Sequence, residues 1–150
     1  MSGVLLQGGP ALFGSPGAGE LFLLARLLFG GVLAFMGINH LTNVGDVAGY
    51  AEMKGLPAPE FTVVGTGVML VAGGLAIITG AFVVLGAGAL AVFLLASAVL
   101  MHDFWTIDDP EQQQTEMTQF LKNVVMAGAA LAFLTFASAP WPYAVDLALV

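Results

Sequence analysis

The chain has 150 residues, 59% of them hydrophobic and 9% charged, and a formal net charge of −7. Soluble domains carry roughly 25% charged residues, and so short a chain cannot hide this much apolar surface from water, so a soluble globule is excluded and one integral membrane domain is expected. Ten Asp and Glu against three Lys and Arg exclude the basic surface that nucleic acid or an anionic bilayer surface would require.

Residues 1–19, "MSGVLLQGGPALFGSPGAG", lack the positive n-region of a signal peptide. Gly, Pro and Ser punctuate them, which predicts a flexible lead-in with Val4–Leu6 and Leu12–Phe13 resting at the membrane interface. A membrane crossing needs about 20 mostly apolar residues. The first such stretch is 20–41. The next apolar run, Phe61–Met101, contains no charge and is long enough for two crossings. Gly80 offers the break, giving helices at 61–79 and 81–101. A fourth helix is expected at 119–138, ending before Pro140 and Pro142, with 139–150 as a tail. The alternating pattern of a β-barrel is absent. The expected fold is all-α: one domain over 1–150, a four-transmembrane-helix bundle crossing the cell membrane as a multi-pass protein.

Four crossings put loops 42–60 and 102–118 on one side. Those loops hold Asp46, Glu52, Lys54, Glu60, Asp103, Asp108, Asp109, Glu111 and Glu116; the other side has the termini and the uncharged turn. Counting Lys54 and Lys122 against Arg26 leans toward cytoplasmic charged loops, on three cations only. Small residues predict close helix packing through Gly30 and Ala34, through Ala72, Ala76 and Gly80, through Gly88, Val92 and Ala96, and through Gly128 and Ala132.

The same topology gathers polar residues at the charged end. Asn39 and His40 close the first helix, His102 and Asp103 close the third, and Lys122 and Asn123 lie one turn into the fourth. Tyr50 sits in the loop between helices one and two, and Trp105 follows His102. The bland reading makes Trp105 an interfacial belt residue and His102 an end-of-helix residue reaching water. The sharper reading makes these residues a ligand-binding cluster, with Asp103 or a carbonyl ending the third helix accepting from Lys122. Arg26, an intramembrane charge near the other face, either snorkels or pairs with Glu20 or Asp146. Two histidines on different helices, without HxxxH or HExxH, predict no metal site; haem b is a weaker reading of the same pair. No cysteine is present, which excludes disulfides and thiol chemistry. No catalytic nucleophile arrangement is visible.

"RLLFGGVLAFMGINHLTNVGDVAGYAEMKGLPAP", "GVMLVAGGLAIITG", "HDFWTIDD" and "FLKNVVMAG", in that order, resemble the DoxX family of small four-helix membrane proteins. The resemblance implies a membrane subunit or anchor of a quinone-linked oxidoreductase or of a complex that defends against oxidative stress. Relatives include a subunit of an archaeal thiosulfate:quinone oxidoreductase. Quinone is then the implied cofactor, with His102, Lys122 and Asn123 facing its head and donating to its carbonyls. The alternative is a non-enzymatic membrane module that binds lipid or escorts a partner protein. Partners expected on either reading are the lipid bilayer and an oxidoreductase subunit or a second copy of the chain. The acid-rich, lysine-poor loops point to a haloarchaeal source.

Overall fold

The structure, a computed structural model, describes residues 12–145. Helices run over Ala18–Thr42 (α1), Val44–Met53 (α2), Pro59–Thr79 (α3), Val83–Met101 (α4) and Pro110–Thr135 (α5), with one 3-10 turn at Phe104–Thr106. Among the described residues there is no strand. The lead-in residues 1–11, including Val4–Leu6, and the tail residues 146–150, including Asp146, lie outside the described part.

α1, α3, α4 and α5 are long and apolar enough to cross a membrane, and their outer faces carry exposed Phe35, Phe61, Leu85, Val92 and Val125, as lipid contact requires. The expected four crossings are therefore present, and the main departures are at α5 and in the segment before α3. α5 starts at Pro110, not 119, and ends at Thr135, not 138. Its polar first turns hold no hydrophobic signal. They are helical because Asp109 caps them, its carboxylate accepting from the Gln112 N–H, and Pro110 occupies the first turn. At about 1.5 Å per residue, α5 outreaches a hydrocarbon core of about 30 Å, so its acidic start projects from the bilayer. The second difference is α2, in a segment expected to be loop. Val44, Val47, Ala48 and Ala51 recur at helical spacing, and Ala48 and Ala51 pack with Val63, Leu56 and Met101.

α1 packs on α3, α3 on α4 and α4 on α5, while α2 lies on α3 at the charged end. The tightest seam is α1 with α3. A Cβ on Gly74 would strike the Gly30 carbonyl and Ala34, and one on Gly37 would lie 2.6 Å from the Gly67 carbonyl. Two glycines seven residues apart on each helix, running antiparallel, bring the backbones together. This corrects the expected stripes: Ala72 and Val92 face outward, and Gly88 and Gly128 have open space beside them. The turn at Gly80 (φ 77°) and Phe82 (φ 54°) delays α4 to Val83.

α1 and α5 stand at the two ends of this row and are not among its main packed pairs. Near the termini Phe22 and Phe29 bridge the space to Phe133 with ring centroids 5.8 and 5.3 Å apart, and Trp141 closes against Phe22. Towards the charged end, among the described residues, no pair of phenylalanine rings from α1 and α5 closes it.

Candidate functional site

Towards the charged end, the space among the helices is a cavity of about 400 Å³. Met36 and His40 enter it from α1, Val63 and Thr66 from α3, Phe93 and Ser97 from α4, and Lys122 and Asn123 from α5. α2 roofs it with Val47, Tyr50 and Ala51, and His102 reaches it from the end of α4. Its walls are mainly apolar, and the polar side chains are concentrated where the helices approach water.

His40 is half-buried in the last turn of α1. Its Nδ1 lies 2.8 Å from the Met36 carbonyl, and its ring meets Phe93 edge-on at 6.5 Å. His102 follows the last turn of α4, where its Nδ1 sits 2.7 Å from Glu116 Oε2. Glu116 belongs to the polar extension of α5 and takes a second neighbour, since the Tyr50 hydroxyl lies 3.1 Å from its Oε1 and 3.2 Å from the Met101 carbonyl. Burial first, then the Glu116 carboxylate beside it, pushes the Tyr50 hydroxyl up to about 12. Asn123 is buried and its amide donates to Ser97 Oγ at 3.2 Å, tying α5 to α4.

The other expected members are arranged differently. Asp103 does not accept from Lys122; it pairs with Lys54 of the α2–α3 connection at 2.5 Å and accepts from the Thr106 hydroxyl. Lys122 is exposed and donates to Gln119 on its own helix. An ammonium at a helix surface near water needs no buried acceptor, so the expected partner was unnecessary. Trp105 is exposed and packs edge-on against Phe104 and Phe120, and Asn39 is exposed and accepts from Asn43; neither lines the cavity. Sequence reading missed Glu116, Lys54 and Ser97. The spacing from the Asp109 cap to Glu116, two turns of one helix, was the available signal for the first.

Arg26 is fully buried near the opposite end. It does not reach Glu20, which accepts instead from the Tyr143 hydroxyl. Its guanidinium donates to the carbonyls of Ile77 (3.0 Å), Ile78 (2.5 Å) and Pro142 (2.6 Å), and Trp141 covers it with its ring centroid 5.2 Å away. The first two carbonyls end α3, where the helix dipole is negative. Arg26 thus buckles α1, α3 and the segment after α5, away from the cavity.

The DoxX family model matches residues 21–103, which run from α1 through α4 to Asp103; Glu116, Lys122 and Asn123 follow that span. No curated protein and no solved structure matches the chain.

Proposed function

The chain belongs to the DoxX family and is a multi-pass membrane protein, and on that premise we propose that it is the membrane subunit of a quinone-linked oxidoreductase or oxidative-stress complex, with the cavity beneath α2 as the seat of the quinone head. The observation that carries this reading is the meeting of His40, Tyr50, His102 and Asn123 in one apolar-walled cavity at the water-facing end of the helices. Ligand sites are concave, mostly apolar and oriented by a few polar groups, with volumes of roughly 300 Å³ upward. A redox-active lipid has that build: a compact polar ring on an apolar tail. The side of the cavity between α1 and α5, which meet through aromatic rings near the termini and not at this end, suits the tail. In this reading His40, His102 and Asn123 touch the head, Tyr50 holds Glu116, and Asn39, Asp103 and Trp105 shape the membrane boundary. The whole of 1–150 is one membrane domain, and we infer a haloarchaeal source from its acid-rich end.

The test is a solvent extract of the protein purified from its own membranes. Quinone should be retained near one per chain and lost in Asn123→Leu protein of unchanged melting temperature. An extract containing phospholipid but no quinone would replace this reading with that of a lipid-binding module.

A further inference from the structure

We infer that the cavity selects the reduced, hydroxyl-bearing form of a quinone-type head group over the oxidised, carbonyl-bearing form. This rests on the quinone reading of the cavity and adds its preferred redox state. The argument is the direction of the hydrogen bonds. A backbone carbonyl only accepts, so the His40 ring nitrogen 2.8 Å from the Met36 carbonyl carries the proton. In the neutral ring His40 Nε2 is then a bare acceptor. An ionised carboxylate also only accepts, so Glu116 holds the His102 proton on Nδ1 and leaves His102 Nε2 bare in the same way.

Neither Nε2 has a hydrogen-bond partner among the described residues, and no buried side-chain nitrogen or oxygen there is left without one. Both nitrogens are therefore open, on side chains that line the cavity. The tyrosine and threonine hydroxyls around them are spent on the protein itself. Tyr50 gives its proton to Glu116 or the Met101 carbonyl, Thr62 to the Pro57 carbonyl and Thr66 to its own helix. The remaining donors on the lining are the Ser97 hydroxyl, the second N–H of the Asn123 amide and the Lys122 ammonium, which is exposed and turned onto Gln119; a quinol oxygen accepts from these as well as a quinone oxygen does, so they do not discriminate between the two forms. A ring bringing two O–H donors satisfies two acceptor nitrogens. A ring bringing two carbonyls sets lone pair against lone pair and leaves both nitrogens without a partner. Glu116 acts here as a positioning residue: it fixes which nitrogen of His102 faces the ligand.

The experiment uses the full chain in detergent under anaerobic, alkaline conditions, in which free imidazole is neutral. Three probes are titrated: a short-chain ubiquinone analogue, its quinol, and the dimethyl ether of that quinol, which keeps the bulk and lacks the O–H groups. The quinol should bind about tenfold more tightly than either of the others, as two extra hydrogen bonds allow. His40→Leu and His102→Leu should each shrink that ratio and Lys122→Met should leave it unchanged. Glu116→Gln, whose amide can donate to His102 and move its proton to Nε2, should lower or invert the ratio. Because the readout is a ratio between probes, a general loss of folded protein does not mimic it. Quinone binding as tightly as quinol in the wild-type chain would overturn the inference and leave the quinone site standing. Binding of none of the three would remove both.

Discussion

Tyr50 joins α2 to α4 and α5 through a single hydroxyl, and that hydroxyl titrates far from its ordinary value. A free tyrosine ionises near pH 10, whereas burial and the Glu116 carboxylate hold Tyr50 up to about 12. Between those values the unfolded chain has released its proton while the native chain keeps it, so stability falls as pH rises. Below about pH 10 the contribution is whole, and above about 12 it is gone. Detergent unfolding followed across that window should show the fall in the wild-type chain and a shallower one in Tyr50→Phe. Arg26 is the second residue on which much depends. Arg26→Met strips three carbonyls of their donor, and a loss of about 3 kcal/mol is expected, read as a lower melting temperature. The polar residues of the cavity were half legible in the sequence. His40, Tyr50, His102 and Asn123 could be named because four crossings bring helix ends together. Their pairings could not, because Lys54 and Glu116 reach the site from a loop and a helical extension that hydropathy alone does not register. The same gap hid the direction of the histidine hydrogen bonds: in the sequence a histidine is a donor as readily as an acceptor, and only the Met36 carbonyl and Glu116 turn the two rings into acceptors.

Helix packing was legible as a type of contact and not as a register. Small residues were visible on every crossing, but the residues that meet are Gly30 with Gly74 and Gly37 with Gly67. Many stripes of glycine and alanine compete in such a sequence, and the choice among them depends on how α1 and α3 slide along each other. Gly74→Ala places a methyl against the Gly30 backbone, which no rotamer change can relieve, and should cost about 1–3 kcal/mol. Gly88→Ala, with open space beside it, should be neutral or slightly stabilising through helix propensity. Comparing the two in one unfolding assay separates packing from propensity. The start of α5 is a matter of capping. Asp109→Ala removes the acceptor of the Gln112 N–H and should cost about 1 kcal/mol. The loss should be local: faster amide exchange across 110–118, and a looser Glu116 beneath His102.

On the scale of the whole molecule, the two ends of the bundle are built on different principles. The terminal end is closed by aromatic rings and by one arginine held on carbonyls. The opposite end carries every acid of the sequence except Glu20 and Asp146, with Lys54 already committed to Asp103. Asp108, Asp109 and Glu111 crowd the exposed start of α5, and Asp46, Glu52 and Glu60 stand exposed on α2 and α3. Repulsion among exposed acids acts over the Debye length, about 10 Å at 0.1 M salt and about 3 Å at 1 M. At the lower concentration each acid feels its neighbours, and at the higher one it does not. Melting in detergent should therefore shift upward between 0.1 M and 1 M sodium chloride, as a chain adapted to a saline cell would require. Salt also strengthens apolar burial, so the decisive comparison is with Glu60→Gln, Asp108→Asn and Glu111→Gln combined, which leaves the Asp109 cap and the Glu116 contact in place. That variant should melt higher than wild type at low salt and lose most of the salt response. An equal response in both proteins would trace the effect to the apolar surface and take the saline habitat out of the argument.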